Sequence, residues 1–190
     1  MRLIVGVTGS SGVIYAVRLI ETLAMFPDAE VHLVMSDWAL ANLHIETTNT
    51  LDDLSKFVHQ IHENQDLSSC IASGSFKTDG MIILPCSMKT LSSIANGYAD
   101  TLISRAADVC LKEGRKLVLS PRESPLSAIH LENMLKLSRL GVRMVPPMPA
   151  FYNHPSSIED LVDHHVMKIL DQFNLESPYA KRWEGPHLKG

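Results

Sequence analysis

Residues 3–12 read Leu3-Ile4-Val5-Gly6-Val7-Thr8-Gly9-Ser10-Ser11-Gly12, and the stretch changes character half-way. Its first half is apolar without polar alternation, as in a strand buried on both faces. Its second half is a loop of small residues. From Val13 to Phe26 apolar residues recur at helical spacing, with Pro27 and Asp28 as the stop. A buried strand feeding a helix through such a loop predicts a βα unit. It is also a common anion site: glycines let a phosphate approach the backbone, and the amides and dipole of a helix N-terminus attract negative charge. The spacing is neither G-x-G-x-x-G nor G-x-x-x-x-G-K-[ST], so a nicotinamide cofactor or a nucleoside triphosphate is not the first expectation. A tight βα turn without a ligand needs similar residues, and both readings stand on this stretch alone.

Four later segments read as buried strands: Glu30–Ser36, Gly80–Cys86, Arg115–Ser120 and Val142–Val145. Helical patterns separate them, which predicts an α/β fold with a mainly parallel sheet and helices on both faces. Thr101–Glu113 is one such helix. Ser124 with Pro125 predicts another helix start, and Gly141 its stop. Ser156 and Glu159 form a capping-box pattern. The helix it opens would bury Ile158, Leu161, Val162, His165, Val166, Ile169, Leu170 and Phe173 as one stripe. The least regular stretches are Asn64–Thr78 and the tail from Glu176. The expected organisation is a single domain over residues 1–175 and a tail over 176–190 that covers a site or a neighbouring subunit.

The chain has 190 residues, 45% hydrophobic and 20% charged, enough for one sizeable core. A net charge of −4 gives no basic field for nucleic acid. No apolar run is long enough to span a bilayer, and a strand starting at residue 2 or 3 leaves no room for a signal peptide. Cys70, Cys86 and Cys110 are sparse and lack metal spacing, which suggests reduced thiols in a cytoplasmic protein. Cys86 closes a buried strand with no evident base, and reads as a small core residue rather than a nucleophile. Nine histidines raise the question of a metal. His59 and His62 stand at i, i+3, and His164 and His165 are adjacent, but no carboxylate or cysteine completes a ligand set near either pair. They read as surface or packing histidines, and no metal is expected.

Ligands of doubly wound sheets bind at the C-terminal ends of the strands. The residues collected there are Thr8 to Ser11, Ser36, Ser87 to Thr90, and Arg122 with Glu123. Recurring hydroxyls with one lysine and one arginine suit a ligand with a phosphate and a polyol, such as FMN. Helix capping explains each hydroxyl singly but explains Arg122 poorly. Arg105, Asp108 and Lys112 share a helix face and read from spacing as a solvated charged face. Pro146, Pro147 and Pro149 around Met148 make a rigid loop that would serve as a wall.

Several motifs carry a resemblance. They are Val7-Thr8-Gly9-Ser10-Ser11-Gly12, Ser73-Gly74-Ser75-Phe76, Pro85-Cys86-Ser87-Met88-Lys89-Thr90-Leu91, Arg105-Ala106-Ala107-Asp108-Val109 and Pro121-Arg122-Glu123. Further on stand Ile129-His130-Leu131-Glu132-Asn133-Met134, Pro146 to Tyr152, and Arg182-Trp183. In these the chain resembles the UbiX-type flavin prenyltransferases, within them the branch named as the B subunit of phenolic or hydroxyarylic acid decarboxylases. The resemblance implies a Rossmann- or flavodoxin-like sheet and a dodecamer. The implied reaction joins a dimethylallyl group from dimethylallyl phosphate to N5 and C6 of reduced FMN without a metal. The product, prenylated FMN, serves a partner UbiD-type decarboxylase.

By matching position, the resemblance assigns Gly9, Ser10, Ser11, Ser36, Ser87, Met88, Lys89, Thr90 and Arg122 to FMN, and Tyr152, Lys168 and Trp183 to the prenyl phosphate. Glu46, Arg105, Lys112 and Glu123 match residues around the reacting groups, with Glu123 the candidate base and Glu46 second. The family often has arginine at Lys168; lysine keeps the charge but loses the bidentate fork. Two other readings are a flavin-dependent aromatic acid decarboxylase and a non-catalytic flavin carrier. The related cysteine decarboxylases rely on a histidine in the first helix region, and Val13–Phe26 has none.

Overall fold

The computed structural model describes residues 1–179, 181–183 and 185. Six strands form one parallel sheet: β1 (Arg2–Val7), β2 (Glu30–Met35), β3 (Gln60–Glu63), β4 (Gly80–Cys86), β5 (Lys116–Pro121) and β6 (Arg143–Met144). Their order in the sheet is β3-β2-β1-β4-β5-β6. The helices are α1 (Val13–Leu23), α2 (Asp37–Glu46), α3 (Leu51–Ser55), α4 (Met88–Ala95), α5 (Leu102–Lys112), α6 (Ala128–Arg139) and α7 (Ile158–Leu170). None of them is long and apolar enough to cross a membrane.

Strand alternation divides the core. Leu3, Val5 and Val7 pack with α1 and α7 on one face. Ile4, Met81 and Ile83 pack with α4 and α5 on the other. Both faces are covered, so β1 and β4 are apolar throughout. Each fully buried Leu or Ile in them stabilises the fold by about 1.5–3 kcal/mol. The chain winds outward from β1 in one direction and then from β4 in the other. The crevice between their C-terminal ends is where such sheets take ligands.

Several expectations need correction. β3 was not expected: only His62 of its four residues is buried, so it shows no apolar signature. α1 ends at Leu23 rather than Phe26. α6 starts after Ser127, whose hydroxyl accepts from His130 N, and not at Ser124-Pro125. α7 is capped by Ser157, while Ser156 N and Oγ donate to Asp160. Ile158 is exposed, not part of the buried stripe. The described tail residues fold back on their own chain. The Tyr179 ring lies 4.0 Å under Arg18, and Arg182 pairs with Asp171 at 2.7 Å.

Candidate active site

A cavity of about 320 Å³ opens at the β1–β4 crevice. Of the residues collected at the strand ends, Thr8, Gly9, Ser36, Ser87, Lys89 and Thr90 line it, and Ser10, Ser11, Met88 and Arg122 do not. Thr8 joins the two strand ends. Its hydroxyl donates to Pro85 O at 2.8 Å and accepts from Ser87 N at 2.7 Å. Asn42 holds the loop from α2, donating to Gly9 O at 3.2 Å. Glycine is required at residue 9, where a Cβ would stand 2.4 Å from Trp38 Cβ, and at Gly12, where φ is +108°.

The two serines do cap helices: Ser36 Oγ accepts from Ala39 N, and Ser87 Oγ from Thr90 N. Accepting leaves the Ser36 proton free to donate, while Ser87 Oγ also lies 3.1 Å from Thr90 Oγ1, and one proton of that hydroxyl pair is left for a ligand. The helix ends differ in charge. At α1 the amides of Gly12 and Val13 both donate to Glu46 Oε2, at 2.8 and 3.0 Å. That end already has its anion. At α4 the end carries Lys89, which is in no ion pair among the described residues, as is Arg122. Ser10 Oγ is buried without a hydrogen-bond partner. An orphan hydroxyl and two uncompensated cations fit a phosphate-bearing polyol. Ser11 is exposed on the same loop, and Met88 turns its side chain into the second core.

The residues that the resemblance assigns to the prenyl phosphate lie elsewhere, Lys168 among them beside β6. Tyr152 Oη lies 2.8 Å from His164 Nε2, and the Trp183 ring meets Tyr152 edge-on at 5.7 Å. Burial, and then Lys168, push the His164 pKa down. Lys168 itself lies 3.6 Å from Asp171 and lines a second cavity with Arg143 and Gln172. None of these residues lines the flavin cleft.

The expected catalytic carboxylates and cations do not assemble within one chain. Glu123 follows β5 and accepts only from its neighbour Ser124 N at 2.9 Å among the described residues. Lys112 precedes β5, pairs with Glu113 and lies against Gly74. A six-residue strand of about 20 Å separates Lys112 from Glu123. Arg105 pairs with Asp108 at 2.8 Å and donates to Ala72 O, so the charged face forms without Lys112. Cys86 is fully buried, which pushes its thiol up to about 12 and rules out a thiolate nucleophile. The Met148 wall is 70% exposed in the single chain. Sequence reasoning missed the wall formed by Asn64, Gln65, Asp100, Thr101 and Ser104, which comes from loops remote in sequence.

The family model described as flavoprotein matches residues 1–170. The chain is 57% identical over 184 residues to flavin prenyltransferase LpdB of Lactiplantibacillus plantarum, covering 97% of this chain and 98% of that one. The chain belongs to the flavin prenyltransferases. A dodecameric FMN-dependent UbiX-like decarboxylase from Escherichia coli O157:H7 superposes with a TM-score of 0.96 at 58% identity, covering 97% of this chain and all of that one. AnUbiX (PadA1), crystallised with FMN and dimethylallyl pyrophosphate, superposes at 0.94 and 45% identity, with 98% of each chain covered.

Proposed function

We propose that this chain transfers a dimethylallyl group from dimethylallyl phosphate to N5 and C6 of reduced FMN. We propose further that the prenylated FMN passes to a UbiD-type aromatic acid decarboxylase. The observation that carries this reading is the hydroxyl-lined crevice with uncompensated Lys89, and with Arg122 outside its lining but tied by its N–H to Cys86 O at the end of β4, in a chain that superposes on a relative holding FMN and a prenyl pyrophosphate.

Reduced FMN, when bound, supplies the two nucleophilic ring atoms. The residues do the rest. Lys89, Arg122 and the hydroxyls of Ser87 and Thr90 hold the flavin phosphate at the α4 end. Ser10, Ser11 and Ser36 donate to the remaining polar atoms. Lys168 and Tyr152 hold the donor phosphate and stabilise the charge that develops as it leaves. The aromatic faces of Tyr152 and Trp183 suit the allylic carbon, which becomes positive. Glu123 would move the protons that the second bond needs: one is added to the prenyl double bond, and the C6 proton is lost once C6 has attacked. Glu46 is the second candidate, because its Oε2 carries both cap bonds and leaves Oε1 free.

In one chain the cleft and the Tyr152–Lys168 cluster stay apart, as do Lys112 and Glu123. We infer that neighbouring subunits complete the site in a homo-oligomer, a dodecamer as in the Escherichia coli relative. Exposed Trp38, Tyr98, Ile129, Leu135 and Phe151 suit such contacts. Three free thiols suit a reducing cytoplasm. The test is anaerobic incubation with reduced FMN and dimethylallyl phosphate, followed by the mass of the released flavin. A gain of one C5H8 unit is expected. Unmodified flavin, or carbon dioxide released from a phenolic acid by this chain alone, overturns the reading.

A further inference from the structure

The β2–β3 edge of the sheet carries a cluster that flavin chemistry does not use. His32 on β2 and His62 on β3 lie on one sheet face, with His32 Nδ1 2.8 Å from His62 Nε2. They are 2% and 7% exposed. Cys70, on the 3₁₀ turn Cys70–Ala72, faces them from solvent. One ligand atom from each of the three lies within 4.8 Å of the others.

The outer ring nitrogens are anchored. His32 Nε2 lies 3.0 Å from Glu30 Oε1, and His62 Nδ1 lies 2.8 Å from Ser69 Oγ. Glu30 Oε1 also accepts from Arg2 Nε at 2.8 Å, and as a carboxylate it only accepts. The His32 proton therefore sits on Nε2, and Nδ1 presents a lone pair. His62 Nε2 faces the same point from β3. If its proton lies on Nδ1, donated to Ser69 Oγ, Nε2 presents a second lone pair to the same point. Imidazoles fixed through their far nitrogen are the usual support of a metal centre.

We propose that His32, His62 and Cys70 bind a thiophilic divalent cation of the zinc class, which clamps the segment 64–76 to the edge of the sheet. Two imidazoles and a thiolate select such a cation, with water in the fourth position beside exposed Cys70. Bond lengths of about 2.0–2.3 Å place ligand atoms about 3.3–3.7 Å apart. The thiol must close by on the order of 1 Å, and the imidazoles must part by a few tenths. On binding, the Cys70 proton goes to solvent and the His62 proton moves from Nε2 to Nδ1, so one proton is released per cation. The clamp is structural. Asn64 and Gln65, at one end of the segment, form part of the cleft wall. Asn64 O accepts from Leu102 N at 2.8 Å, and Ala72 O accepts from Arg105 Nε at 3.2 Å. His62 escapes a reading by sequence spacing because its partners, His32 and Cys70, lie on other elements.

The experiment titrates Co²⁺ anaerobically into full-length, metal-free protein. A thiolate-to-cobalt charge-transfer band should saturate at one equivalent, and Zn²⁺ should abolish it. Cys70→Ser should remove the band and weaken Zn²⁺ binding roughly 100-fold. His44→Ala, at an exposed position of α2, should change neither. Zn²⁺ should slow hydrogen exchange over residues 64–76 in the parent protein but not in Cys70→Ser. Absence of the band, or a band and an affinity that survive Cys70→Ser, overturns the proposal.

Discussion

At the β1–β4 crevice the polar groups are fixed by backbone, whereas around His164 they are held by one another. Ser36 and Ser87 are locked as helix caps, and Thr8 is tied to both strand ends. Tyr152, by contrast, leans on His164 and Trp183 from an exposed loop beside a two-residue strand. Preorganised groups bind without first paying an ordering cost, so the crevice suits the tightly held flavin. The second cluster suits a donor that enters and leaves, and a neighbouring subunit would complete it.

The largest expected effect belongs to Glu123, the residue proposed to act where the two regions meet. Glu123→Gln is nearly isosteric and removes the proposed base, so prenylation should slow by roughly 10²–10⁴-fold. An adduct bonded only at N5 should accumulate in single-turnover spectra and in the mass of the bound flavin. Conversion at the parent rate would remove Glu123 from the proton step. Weaker ligand binding with no trapped adduct would make it an anchor instead.

Adjacent histidines sharpen the contrast through pH. His164 faces the Tyr152 cluster, while His165 is 3% exposed, with its Nε2 2.9 Å from Ser120 Oγ. Burial, and secondarily His164, push His165 down to about 4 from 6.5. Below 6.5 the unfolded chain takes the proton and the folded chain does not. Stability should therefore be intact above pH 6.5 and fall by about 1.4 kcal/mol per unit down to pH 4. Urea unfolding at pH 7 and pH 5 should show this slope in the parent and not in His165→Gln. Equal slopes would mean that His165 titrates normally in the fold.

Arg122 and Lys168 separate the two regions by ligand. Arg122→Ala should weaken FMN by about 1.5–3 kcal/mol, the loss of one charged contact. Lys168→Ala should spare FMN and lower the rate at limiting dimethylallyl phosphate by roughly 10- to 100-fold, and Lys168→Arg should restore it. Mixed assemblies of the two alanine variants should regain part of the activity, since some sites then receive an intact half from each. Calorimetry with FMN and donor-dependent rates measure both. Loss of FMN binding in Lys168→Ala would place Lys168 in the flavin site and dissolve the distinction.

The central strands were legible because burial on both faces leaves a continuous apolar run, as in Ile82-Ile83-Leu84. The edge strand Gln60–Glu63 was not, since a single buried histidine leaves no pattern. Hydroxyls at strand ends could be collected from the sequence. Whether they cap helices or bind ligand could not, because one serine can do both. The α7 start slipped by one residue because Ser156 and Ser157 are equal candidates, and only the position of Asp160 decides between them. The resemblance supplied Lys112, Glu123 and Lys168 together, although one folded chain holds them apart.

The smallest expected effect tests the proposal that the flavin phosphate sits at α4 and not at α1. Glu46 Oε2 already satisfies the Gly12 and Val13 amides. A carboxylate there complements both the orphan donors and the positive end of the helix. Glu46→Gln keeps an acceptor oxygen and loses the charge, which should cost about 0.3–1 kcal/mol in urea unfolding. Glu46→Ala removes the acceptor as well and should cost about 0.5–2 kcal/mol. The order Ala worse than Gln is the decisive reading, because it follows from a cap and not from charge alone. Added phosphate should partly restore Glu46→Ala, as an external anion takes the vacated amides. If both variants match the parent in stability, α1 has no internal anion. The Gly9–Gly12 loop would then be as open to phosphate as the start of α4.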